Sequence, residues 1–169
     1  MEEGPNRPEP QQLKLDSKTT AVLVLDLSTR CQDPKEVCFQ LMGPLAEFLD
    51  RTRQSSVPIL YTISAAGKGT PLGEVAEPLK RRATEPVLYP DAFDKFMGGE
   101  LRDKLSQLDC RCLVIVGSAT NFAVLYTATT AGAYLPLRCR DSSAWGQYQT
   151  AVRARVCDSP ADDFAGFRP

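Results

Sequence analysis

Asp26 is the residue around which chemistry is most readily built. It ends the unbroken apolar run Ala21-Val-Leu-Val-Leu, and a carboxylate at the carboxyl end of a buried strand can take or give a proton. The competing reading is a structural aspartate that caps the turn after its strand. Cys31, five residues further on, could present a thiol to the same place or be a buried structural cysteine. Lys95 offers a cation, although a lysine beside a loop is more often a solvated surface charge. The chain contains no histidine. Ser-His and Cys-His catalysis, and every zinc site that needs imidazole, are thereby excluded. Any chemistry must run on carboxylates, lysines, thiols or backbone dipoles.

The elements that would position these groups belong to one domain. The chain has 169 residues, of which 43% are hydrophobic and 24% charged, an ordinary globular mixture. A net charge of -1 gives no footprint for nucleic acid and no polybasic attraction to a membrane, so the partner expected is a small molecule or another protein. No apolar run reaches the length of a membrane span, and the start Met1-Glu-Glu-Gly-Pro lacks a secretory pattern, so a cytoplasmic location is expected. The six cysteines include no Cys-x-x-Cys, and reduced thiols are the default expectation. Cys110 and Cys112 flank the start of a strand far from Asp26 and read as packing residues.

Residues 1–17 are polar and Pro-rich and are expected to form a disordered tail, with the domain occupying 18–169. Thr20 to Leu25 reads as a strand buried on both faces. Asp33-Pro34-Lys35-Glu36 resembles a helix start, with Val37, Leu41, Leu45 and Phe48 on one face and a break or kink at Gly43-Pro44. Pro58 to Ile63 and Pro86 to Tyr89 read as strands, and the segment 64–82 between them as a loop long enough to cover a site. A helix opens at Gly99-Glu100 and leads into the strand Cys112 to Val116, ended by Gly117; Thr120 to Tyr134 reads as a buried helix, and Leu135 to Cys139 as a further strand ending near Asp141. Alternation of strands and helices predicts a three-layer α/β/α fold with a mostly parallel sheet of five or six strands. Such sheets bind ligands beyond the carboxyl ends of the strands, where strand order reverses, so Asp26 and the segment after Gly117 are expected to face each other.

Three segments from Thr20 to about Asp141 resemble the isochorismatase-like superfamily of nicotinamidases, other cysteine hydrolases and isochorismatases. Ala21-Val-Leu-Val-Leu-Asp26 is similar to the strand that ends in the family's catalytic aspartate. Phe96-Met-Gly-Gly-Glu-Leu101 resembles its Phe, Thr/Gly, Leu segment. Gly117-Ser-Ala-Thr-Asn-Phe-Ala-Val-Leu-Tyr-Thr-Ala128 resembles its Gly, Ala, Thr, Cys-Val, Thr-Ala pattern. The resemblance implies a nucleophile in the first turn of a helix, where the dipole and backbone amides favour a thiolate and an oxyanion; that position is Ala123 here. It also implies a lysine after the third strand. Counting back from Phe96, this falls on Tyr89 or Pro90, which leaves Lys95 as the nearest substitute. A non-proline cis peptide near Ser118-Ala119 is implied as well. Some nicotinamidases hold a metal through histidines that this chain lacks, so neither a metal nor another cofactor is expected.

Ligand contacts implied by the resemblance are Phe96, Ser118, Ala119 and Thr120, although Ser118 and Thr120 also read as helix-capping groups. Phe93, Phe96 and Trp145 could line an apolar pocket or belong to the core. Two functions are open. One is a small-molecule hydrolase in which Asp26 acts as acid or base without a cysteine. The other is a catalytically inactive paralogue that keeps the fold as a binding or oligomerisation module, self-association being consistent with an exposed sheet edge.

Overall fold

The computed structural model describes residues 15–118 and 120–134, the side chain of Thr120 excepted. Four strands, β1 (Thr20–Leu25), β2 (Ile59–Thr62), β3 (Val87–Leu88) and β4 (Cys112–Gly117), and three helices, α1 (Met42–Gln54), α2 (Glu100–Gln107) and α3 (Leu125–Tyr134), follow in the order β1-α1-β2-β3-α2-β4-α3, with only 3-10 turns between β2 and β3. All six residues of β1 are buried, which is why its sequence is continuously apolar instead of alternating. The strands are parallel in the order β3-β2-β1-β4.

Each face of the sheet carries its own apolar layer. Val22, Val24 and Tyr61 pack with Leu45, Phe48 and Leu49 of α1. Ala21, Leu23 and Leu60 pack with Leu101 and Leu105 of α2 and with Ala123, Val124 and Ala131. The result is the expected three-layer α/β/α arrangement. Strand order reverses between β1 and β4, whose ends meet at Leu25 and Gly117. Gly117 is the residue this meeting requires: a Cβ there would lie 3.0 Å from Val124 and 3.1 Å from Leu25.

The described residues supply four strands; the strand expected over 135–139, together with Asp141 and Trp145, lies outside them. So do residues 1–14 of the expected tail. Leu15 already packs against the core, so the folded part begins ahead of residue 18.

Three local expectations are corrected. The helix expected from Asp33 onward begins only at Met42. Before it, Val37–Leu41 is a 3-10 turn, and Val37, expected on the buried face, is 61% exposed. The carboxylate of Asp33 accepts the Lys35 backbone N–H at 2.9 Å, closing a local turn instead of capping a helix. Gly43 and Pro44 do not break α1 because they sit in its first turn, where backbone N–H groups have no helical partner to lose.

The second correction concerns the thiols. Cys31 and Cys38 form a disulfide. The 3-10 turns Thr29–Gln32 and Val37–Leu41 fold back on one another and bring the two Cα atoms within 5.2 Å, a closure that residue spacing alone does not reveal. Third, α3 is buried on one face only: Thr127 and Ala131 are buried, while Leu125, Tyr126 and Tyr134 are about half exposed.

Candidate active site

Asp26 follows β1 directly, and its backbone N–H donates to Thr62 O at 2.8 Å, which fixes it beside the end of β2. Its φ of 55° places it in the left-handed region. Asp and Asn enter that region more readily than other non-glycine residues, because their short polar side chains bond locally. The turn directs the carboxylate toward the loop before α2. There Lys95 Nζ lies 2.9 Å from Asp26 Oδ2, with the lysine side chain 2% exposed and the aspartate 32% exposed. Nζ also donates to Ala92 O at 3.2 Å. A lysine buried to this degree is rare unless it is paired.

Asp26 Oδ1 is buried, and among the described residues it has no hydrogen-bond partner. The same holds for the hydroxyl of Thr62. Thr62 lies two residues beyond Leu60, and side chains alternate along a strand, so it shares the sheet face of Leu60, Leu88 and Ala123. Two buried acceptors without partners at adjacent strand ends cost free energy as they stand, and are the kind of group a ligand or water would satisfy.

The structure therefore brings together Asp26 and Lys95. Tyr89, one of the positions indicated for the lysine, instead donates its hydroxyl to Gly73 O at 3.2 Å and steadies the 64–82 segment. Ala123 is 3% exposed and lies in a π-type turn, Thr120–Val124, ahead of regular α3, with Phe122 off helical geometry at φ -122° and ψ -106°. The expected first helical turn is thus an irregular one, a feature that recurs at functional sites. Ser118 is half-buried just beyond β4. Ala119, and with it the implied cis peptide, lies outside the described residues. Phe96 is 4% exposed and packs in the core with Leu101 and Leu105. Cys31, locked to Cys38, offers no free thiol. Burial pushes the Cys110 thiol up to about 11, so it stays protonated as a packing group.

Two residues with a part in this site were not singled out from the sequence. Thr62 stands at the end of an apolar strand, where a fully buried threonine was the available signal. Thr127, inside the segment 117–128, accepts the Lys95 backbone N–H at 3.1 Å. The segment 64–82 does lie near the site. Thr29, three residues after Asp26, donates its N–H to Glu74 O at 3.0 Å and its hydroxyl to Pro71 O at 2.7 Å.

A cleft of about 470 Å³ opens elsewhere, lined by Pro58, Thr84, Glu85 and Lys104 near the amino ends of β2 and β3. Ligands of open parallel sheets bind outside the carboxyl ends, so the Asp26 end is the candidate site.

A family model described as the isochorismatase domain matches residues 20–133. The chain belongs to that family. Solved structures agree on the fold. N-carbamoylsarcosine amidase from Thermoplasma acidophilum superposes with a TM-score of 0.62 at 20% identity, over 69% of this chain and 78% of that one. A cysteine hydrolase from Pseudomonas syringae gives 0.63 at 17% identity, over 73% and 71%. An isochorismatase from Pseudomonas putida gives 0.61 at 18% identity, over 73% and 69%. No curated protein matches by sequence. Among the described residues no three His, Cys, Asp or Glu side chains gather to hold a metal ion. No helix among the described residues is long and apolar enough to cross a membrane.

Proposed function

We propose that this isochorismatase-family chain is a small-molecule hydrolase that works without a thiol, with Asp26 as its acid/base and Lys95 as the cation beside it. The observation that carries the reading is the 2.9 Å contact between a buried ammonium and a half-buried carboxylate at the strand-order reversal. Burying a charge is costly and breaking such a pair more so, which makes a buried pair in a ligand-binding position a candidate for function.

In hydrolysis the free Oδ1 of Asp26 takes a proton from water, the hydroxide adds to the electrophilic carbon, and the same carboxyl returns the proton to the departing group. Lys95 offsets negative charge next to these steps. Ser118 follows β4, whose end meets the end of β1, and with Ala119 and Thr120, the contacts implied by the resemblance, it is where the substrate would be held. On a vinyl ether the order reverses, and a protonated Asp26 would deliver its proton to carbon first.

A second reading is favoured by Ala123. A methyl group where the family's cysteine members have their nucleophile, next to the exposed rings of Phe93, Phe122 and Tyr126, suits a family member that binds or self-associates without turnover.

Assay of the purified chain against small amides and vinyl ethers, isochorismate included, separates the two. Turnover that falls at least a hundredfold in Asp26→Asn, the lower bound for a lost acid/base group at about 10², supports the hydrolase. Absence of turnover in folded protein supports the binding module, and full activity in Asp26→Asn removes Asp26 from the mechanism.

A further inference from the structure

We propose that Thr127 is a positioning residue for Lys95: its hydroxyl fixes the lysine's backbone and thereby sets where the ammonium meets Asp26. The proposal rests on the Asp26–Lys95 pair being the working pair of the site.

Lys95 lies in the stretch between β3 and α2, which contains no helix or strand of its own. A lysine side chain loses about 2 kcal/mol of rotamer freedom when fixed, so a loop lysine held at 2.9 Å from one carboxylate oxygen needs an anchor. The anchor comes from α3. A threonine inside a helix ordinarily returns its hydroxyl to the carbonyl four residues back, as Thr129 does to Leu125 O at 2.9 Å. Thr127, fully buried at 0% exposure, is used differently. Its Oγ1 accepts the Lys95 N–H at 3.1 Å and donates, at a longer 3.4 Å, to Phe93 O.

One turn on, Thr130 donates to Asp94 Oδ2 at 2.7 Å, and Asp94 Oδ1 accepts the Phe96 N–H at 3.0 Å. Residues three apart share a helix face, so two threonines grip three successive loop residues, Phe93, Asp94 and Lys95, and Asp94 in turn holds Phe96. Ala123, four residues before Thr127 in the turn that leads into α3, is buried as Thr127 is. The irregular turn Thr120–Val124 and the helix it runs into thus carry both the family's nucleophile position and the anchor of the cation. The hydroxyl must accept from one backbone group and donate to another. Serine can do both, valine neither.

The test is the energetic coupling between Asp26 and Lys95, obtained from urea unfolding of the full chain carrying Asp26→Asn, Lys95→Met or both. In the Thr127→Val background this coupling is expected to fall about fivefold as an equilibrium ratio, the worth of one ordinary hydrogen bond, and to return in Thr127→Ser. A purely structural Thr127 would lower stability equally in all backgrounds and leave the coupling unchanged, which would overturn the proposal. Should Thr127→Val not fold, Thr127→Cys, which keeps the shape and weakens both bonds, carries the same comparison. The measurement needs no turnover, so a chain that hydrolyses nothing would defeat the hydrolase reading and leave this one standing or falling by itself.

Discussion

At Asp26 the backbone and the side chain make separate demands. The left-handed φ of 55° is tolerated by Asp and Asn and disfavoured for β-branched residues, whereas the contact with Lys95 needs only an oxygen at Oδ2. Asp26→Asn keeps the conformation and an acceptor while removing the charge, and Asp26→Val removes both. The expected ordering in urea is a loss of about 1 kcal/mol for Asn, the worth of a charge-assisted bond reduced to a neutral one. For Val the loss is about 4 kcal/mol, because the buried Lys95 is left with no acceptor at position 26 and the backbone is strained. Equal stability of both variants and the native chain would show that neither the φ angle nor the pair matters to folding. The residue types were legible in the sequence, and their meeting was not. Lys95 reaches the site because Thr127, accepting the Lys95 N–H, and Thr130, donating to Asp94, hold its loop across 32 and 36 residues of chain. Counting along a motif ended instead at Tyr89 or Pro90, and the Tyr89 hydroxyl serves the 64–82 segment.

Among the elements, the strands were the most legible. A parallel strand covered on both sides must be apolar throughout, and the runs at Thr20–Leu25 and Cys112–Gly117 satisfy that demand in a way no surface segment would. The segment from Asp33 to Leu41 was misread because a cap-like Asp-Pro pair also suits a tight turn; the 3-10 geometry follows from closing Cys31 onto Cys38, a tertiary event. That disulfide straps the same stretch from which Thr29 holds the 64–82 loop. Closing so small a ring constrains the unfolded chain by about 2 kcal/mol. Excess dithiothreitol is therefore expected to lower unfolding stability by that amount in the native chain and by nothing in Cys31→Ala/Cys38→Ala. The loss should appear first as faster proteolysis within 64–82, since Thr29, beside the strap, holds Pro71 and Glu74 of that loop. A stability indifferent to reductant would mean the strap adds nothing to the fold. In a reducing compartment, the strap would stand open.

Across the whole molecule the junction of α1, β3 and the 64–82 segment is held by one buried fork. Arg53 Nε lies 2.7 Å from Glu85 Oε1, and Nη2 lies 3.0 Å from Oε2; the same Nη2 donates to Leu79 O at 3.0 Å and to Tyr61 OH at 3.2 Å. Both side chains are under a tenth exposed. The hydrogen bonds to Glu85 hold the Arg53 guanidinium well above its ordinary value. Burial is the largest influence on Glu85 and works to raise its carboxyl, but the Arg53 fork and the backbone N–H of Arg82 outweigh it and hold the group below its ordinary 4.5. Tyr61, desolvated in the same junction, is pushed well above the ordinary phenol range and stays neutral. A carboxyl held lower in the folded than in the unfolded chain binds its proton preferentially when unfolded. Its contribution is thus complete above the unfolded value and is lost as pH falls from there through the folded value. Native protein should keep its Glu85 contribution at neutral pH and shed it below about pH 4.5. Glu85→Gln, which leaves Arg53 buried and half paired, should cost about 3 kcal/mol at pH 7 and show a shallower decline in acid. Urea midpoints of the two chains from pH 7 to pH 3 should therefore converge on acidification. Parallel curves would place the acid sensitivity elsewhere and reduce the fork to packing.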